Sequence, residues 1–286
     1  MNPFKSMTVR DSSYLILIVA YTFLFVVGHE LVSQIYGKLI FGLDRKSVEF
    51  VLAWGSLLSG GGVFVWLLNR VGGSFFFWCE GVLLGALLWV STTMLICTNV
   101  ECIHYLQYAI LGFFVRTLIA GDILALLACN LVGMMDEFIQ YVLNPHYTQY
   151  LDFNDMILNM LGALVGISLW NLVRGRRSNP FLVAFWKKVI VVCYALVITV
   201  CIWGFVSGRV VSYWQSVETP FTSIQQFGET VVFVLSYVNT SSFYLTTSLG
   251  RKYHVMDIQE WAWVSLALLG FAFGLSRCRK YVDARG

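Results

Sequence analysis

Residues 189–206 read VIVVCYALVITVCIWGFV, eighteen positions without a charged side chain, preceded by Lys187-Lys188 and followed by Arg209. At 1.5 Å rise per residue, a helix over 183–206 extends ~36 Å, enough to cross a hydrocarbon layer of ~30 Å. The rest of the chain has the same character. Of its 286 residues 58% are hydrophobic and 12% charged, with mean hydropathy +0.73, against roughly 45–50% and about 25% in soluble domains. Such a composition cannot cover an aqueous surface, so the sequence predicts an integral membrane protein. A net charge of +3 gives no basis for nucleic-acid binding, and four prolines leave no room for a Pro-rich linker.

Working outward from that run, the sequence predicts an all-α polytopic bundle of about eight spans. These lie near 13–33, 49–69, 75–97, 103–120, 122–143, 155–173, 183–206 and 259–276, bounded by charges, Gly pairs and polar turns. The apolar stretch of the first is too long for a signal-peptide core, and no small-residue cleavage site follows it. Placing both termini on the cytoplasmic side puts 13 of the 19 Lys and Arg residues inside, with the clusters at 174–188 and 277–285 deciding the orientation. The expected organisation is a three-span region over 1–100, a three-span core over 101–173, a basic loop and seventh span over 174–206, an extracytoplasmic segment over 207–258, and a last span with a basic tail over 259–286. The apolar run 231–238 is too short to cross and stops at Asn239-Thr240-Ser241-Ser242. With its β-branched and aromatic neighbours it reads as part of a small extramembrane excursion, a hairpin or interfacial segment.

Seven cysteines lie apart without a CxxC pair, so no metal motif is evident; Cys97 and Cys102 flank a turn and could pair on an oxidising face. No glycine-rich phosphate loop is present. Arg251, Lys252, His254 and Asp257 read first as a solvated loop.

Ionisable groups within spans are the informative ones, because charge at depth costs several kcal/mol unless paired, protonated or hydrated. Asp136 and Glu137 lie about 10 Å below the outer end of the fifth span. Gln140 stands one turn beyond Asp136 on the same face. His104 and Tyr108 share that spacing on the fourth span. On the sixth, Asp155, Asn159, Gly162 and Gly166 form one stripe, polar at its outer end and bare at its inner end, where a neighbouring helix can approach closely. Three consecutive spans thus aim a polar face inward at similar depth.

His104-x-x-x-Tyr108, then Asp136-Glu137-x-x-Gln140, the loop with Asn144-Pro145, and Asp155-x-x-x-Asn159-x-x-Gly162-x-x-x-Gly166 resemble the VanZ-like membrane protein family over about 101–170. The chain departs from the family's pattern after the loop proline, where His146-Tyr147 replace the usual Gly-Arg, so no role of that arginine is carried over. The resemblance implies a multi-pass protein of the bacterial cytoplasmic membrane, linked to glycopeptide (teicoplanin) resistance or envelope biogenesis.

Three readings of the cluster follow. It is a pocket open to the outer face that binds a lipid or lipid-linked glycan head group. Alternatively it is interhelical glue in a scaffold subunit with membrane-protein partners, or a membrane-embedded acid/base or metal-assisted hydrolase. Against the last, adjacent acids on one helix point about 100° apart, and His-x-x-Glu-His spacing is absent. No catalytic residue, metal or cofactor is assigned from sequence.

Overall fold

The computed structural model describes residues 13–24, 75–97, 99–143, 151–174, 180–213, 224–227, 230–236, 244–246 and 250–283, with isolated positions 38, 55, 62 and 69. The helices are α1 (Ser13–Leu24), α2 (Phe75–Met94), α3 (Ile103–Leu118), α4 (Asp122–Leu143), α5 (Phe153–Arg174), α6 (Pro180–Val206) and α7 (Ile258–Asp283). A 3-10 turn, Asn99–Cys102, leads into α3. Among the described residues, four helical segments are long and apolar enough to cross a membrane: Phe75–Met94, Phe153–Val173, Ala184–Val206 and Ile258–Arg279. Ser13–Leu24 is shorter, α3 has 16 residues, and α4 carries Asp122, Asn130, Asp136 and Glu137 along its length. The expected span 49–69 falls outside the described residues except at Gly55, Gly62 and Asn69, each helical.

α5 sits at the centre. Its spanning stretch is 72% buried, whereas that of α6 is only 11% buried and exposes Val191, Leu196, Ile198, Val200 and Ile202. A helix apolar on every side is a core or membrane element, and the exposed aliphatic face of α6 suits lipid contact.

α3 lies against α5 at backbone distance. A Cβ added at Gly112 would stand 2.5 Å from the Ala163 carbonyl oxygen, and one at Gly162 would stand 2.6 Å from that of Tyr105. At Gly166 it would collide with the Ala109 carbonyl. Small residues four apart on α5 therefore set the separation of the two helices.

The segment between α6 and α7 forms two small sheets. In the first, β3 (Thr230–Ser236) is central, flanked by β1 (Val210–Tyr213) in parallel and β2 (Ile224–Phe227) in antiparallel register. The stretch 231–236, too short to cross a bilayer, is thus strand. It rests on the helices: the Tyr141 hydroxyl donates to the Val234 carbonyl at 2.7 Å, and the Leu151 amide donates to that of Leu235 at 3.1 Å.

β4 (Leu245–Thr246) and β5 (Lys252–Tyr253) form the second, antiparallel pair, and the chain beside it closes the end of α2. The last carbonyls of a helix have no partner within it. Here the Arg251 guanidinium donates to Thr92 O at 2.7 Å, the His254 amide to Met94 O at 2.6 Å, and Asn154 Nδ2 to Leu95 O at 3.0 Å. A cation at that end also favours the helix dipole. Arg251 and His254 are therefore structural contacts rather than a solvated loop; His254 Nε2 also meets Glu260 Oε2 at 2.8 Å. Cys97 and Cys102 are free thiols.

Candidate functional site

The polar residues of α3, α4 and α5 meet near the sheet end of the bundle. The local sequence explains how each is placed. Asp152 caps α5, its carboxylate accepting the Asp155 amide at 3.1 Å in the N-cap to N3 geometry preferred by Asp. That fixes Asp155 on the first turn, and Asn159 follows one turn later on the same face.

His104 is buried between the two. Its Nε2 lies 3.2 Å from Asp155 Oδ2 and its Nδ1 2.9 Å from Asn159 Oδ1. Asn159, fully buried, donates through Nδ2 to Glu137 Oε1 at 3.4 Å. An amide oxygen only accepts, so His104 Nδ1 carries a proton. Nε2 then faces the Asp155 carboxylate either as a second N–H or as a bare lone pair. The side-chain donor atoms of His104, Glu137 and Asp155 all lie within 4.8 Å of one another.

Asp136 turns the other way, as expected of neighbours about 100° apart on a helix. It accepts the Tyr108 hydroxyl on Oδ2 at 3.3 Å and Gln140 Nε2 on Oδ1 at 3.2 Å. Beside it runs a narrow crevice lined by Tyr21, Thr22, Gln107, Tyr108, Leu111, Val132 and Asp136, with room for a group about the size of one water molecule. Tyr21 donates to the Gln107 carbonyl at 3.0 Å, tying α1 to its rim.

The structure thus divides the seven predicted polar residues into two sets. His104, Glu137, Asp155 and Asn159 form one; Tyr108, Asp136 and Gln140 form the other. Gly162 and Gly166 lie at the α3–α5 contact.

Just outside the spanning helix, Asp152 is held above the usual carboxylate range, first by burial and then by the Asp155 and Glu101 carboxylates.

A second polar layer, at the opposite end of the bundle, was not anticipated as a site. Arg279 on α7 pairs with Glu80 on α2, donates to Asp122 Oδ2 on α4 at 2.8 Å, and donates to the Ser168 hydroxyl on α5 at 3.0 Å. Arg116 on α3 donates to Asp122 Oδ1 at 2.9 Å, and Asn171 donates to the same oxygen at 3.0 Å. Two guanidinium groups and two carboxylates, all buried, make a neutral network joining five helices. One signal was present in the sequence: Glu80 is the single acid in the run 75–97.

No family model matches the chain, and searches of curated proteins and of solved structures return no match, so the resemblance to the VanZ-like family rests on the spaced motif alone.

Proposed function

We propose that this chain is a VanZ-like integral protein of the bacterial cytoplasmic membrane, with eight spans and both termini inside, that holds the polar head of a lipid or lipid-linked envelope glycan at Asp136. The observation that carries the reading is the crevice between α1, α3 and α4 leading to a buried carboxylate. The donors to Asp136, Tyr108 and Gln140, are neutral, so the carboxylate retains its capacity for a hydroxyl or ammonium group. The crevice admits one such group, which suits the tip of a head group and not a whole sugar. Carboxylate recognition below the outer surface of the membrane also fits the expected link to glycopeptide resistance, since envelope glycan precursors are rich in hydroxyls and amines.

A second reading has its own support. The backbone contact of α3 with α5 and the burial of His104 and Asn159 are what interhelical glue requires. Asp136→Asn separates the two. The purified wild type is expected to carry lipid detectable by native mass spectrometry, and the variant to lose it while keeping its melting temperature. A variant that keeps the lipid but melts several degrees lower establishes the glue reading instead.

A further inference from the structure

The second set of polar residues, facing away from the crevice, has the composition of a metal site. We infer that His104, Glu137 and Asp155 bind one divalent transition-metal ion, of the class of Zn²⁺ or Mn²⁺, between α3, α4 and α5.

Ligand separation is the first support. Nitrogen and oxygen donors stand about 2.1 Å from Zn²⁺, so two of them are ~3.4 Å apart at a tetrahedral angle and ~4.2 Å apart when opposite. The His104–Asp155 pair, at 3.2 Å, is close to the tetrahedral separation, and the 4.8 Å bound on the group is within rotamer adjustment of it. One imidazole and two carboxylates suit Zn²⁺ and Mn²⁺ better than soft-ligand metals.

Orientation is the second. Asn159 fixes the proton of His104 on Nδ1 and leaves Nε2 directed at Asp155. As an imidazolium the ring donates Nε2–H to Asp155; as a neutral imidazole in that tautomer it turns its lone pair towards the carboxylate, an arrangement that a shared cation would satisfy. Asn159 is thus the outer partner that metal-binding histidines regularly have, and it reaches Glu137 as well.

Charge is the third. Glu137 and Asp155 bring two carboxyl groups to one imidazole; in their ionised forms one divalent ion would balance them, leaving the imidazole neutral as a ligand. Among the described residues, no lysine or arginine pairs with either carboxylate. No local spacing marks these ligands, because they come from three helices, at positions 104, 137 and 155.

The test is metal content and the spectrum of a Co²⁺ substitute. Detergent-purified full-length protein, stripped with chelator and reloaded with Zn²⁺, Mn²⁺ or Co²⁺ at micromolar concentration, is expected to hold about one ion per chain, with Co²⁺ giving visible d–d bands. Glu137→Gln and His104→Gln are expected to lose binding by well over tenfold. Asn159→Ala, a positioning change, is expected to weaken it 10–100-fold. If His104→Gln does not fold, Glu137→Gln, which keeps the shape of the side chain, decides. Wild-type protein that takes up less than about a tenth of an ion per chain, or a folded Glu137→Gln that binds as wild type, overturns the assignment and leaves a proton in the position of the metal. Asp136→Asn keeps these outcomes apart from those of the crevice, because it is expected to lose lipid and retain metal.

Discussion

Replacing Arg279 with Met tests the network at the end of the bundle away from the sheets. Arg279 is the hydrogen-bonding partner of the Glu80 carboxylate among the described residues, and Glu80 is 3% exposed. Asp122, by contrast, keeps Arg116 and Asn171 when Arg279 is removed. The variant therefore strands one buried carboxylate, and breaking a buried pair by deleting one partner costs about 3–5 kcal/mol. Replacing both members by apolar residues of similar size is often neutral or better. In Glu80→Leu/Arg279→Met, the remaining loss is the charged hydrogen bond from Arg279 to Asp122 and the contact with Ser168, about 1.5–3 kcal/mol. Arg279→Met alone loses those same two contacts, so they cancel, and the double variant is expected to be more stable than it by about 3–5 kcal/mol, the cost of the stranded carboxylate. Reversible unfolding in mixed micelles, with the cycle completed by Glu80→Leu, measures this coupling directly. A double variant no more stable than Arg279→Met refutes the reasoning, because Glu80 would then not be left as an uncompensated charge.

Two further outcomes follow from the packing and the cap. Gly166→Ala places a methyl on the Ala109 carbonyl, which must move backbone; overpacking of this kind costs typically 1–3 kcal/mol, read as a lowered melting temperature in detergent, while the same change at Gly85, where nothing lies within 4 Å, is expected to have little effect. Asp152→Asn keeps an N-cap side chain and removes a carboxylate whose folded pKa lies above its unfolded value. A raised carboxylate pKa means that the folded state favours the protonated form. The penalty is absent below the unfolded pKa and grows as pH rises towards the folded one. The variant should therefore melt higher than wild type at pH 8, with the difference vanishing near pH 4; a difference unchanged across that range counts against burial of the charge.

The helices were legible in the sequence because long uncharged runs have few other uses, and the polar cluster because charge is expensive within them. Helical spacing placed His104 with Tyr108, Asp136 with Gln140, and Asp155 with Asn159. What it could not give was the partition of these residues. Asp136 and Glu137 are adjacent in sequence, yet one faces Tyr108 and the other Asn159, and only the rotation of α4 against its neighbours decides which. The Glu80–Arg279 pair was illegible for another reason: 199 residues separate its members, and the terminal basic cluster already had a sufficient explanation in topology. Strand character in 207–258 followed from its β-branched and aromatic residues, but a parallel β1–β3 pair requires a crossover that no local signal specifies.

Comparison of the two polar layers bears on which reading of the cluster is right. Both connect α3, α4 and α5, and along α4 they are separated by the fourteen residues from Asp122 to Asp136, ~21 Å of helix. Buried apolar residues such as Leu126, Leu161 and Leu164 lie between them along α4 and α5. If both layers served only to hold helices together, both should be balanced in charge, since an unbalanced buried network is less stable than an apolar core. The Arg279 layer is balanced, two guanidinium groups against two carboxylates. The His104 layer has three carboxyl groups and one imidazole: Glu137 and Asp155 lie beside the ring, and Asp136 turns away from it towards Tyr108 and Gln140. Interhelical glue explains the first layer without remainder, whereas the second is balanced only with carboxyls protonated or a cation bound. A divalent cation between His104, Glu137 and Asp155, with an ammonium group at Asp136, would supply that balance, and the metal-content and lipid-retention measurements on Glu137→Gln and Asp136→Asn decide between it and protonated carboxyls.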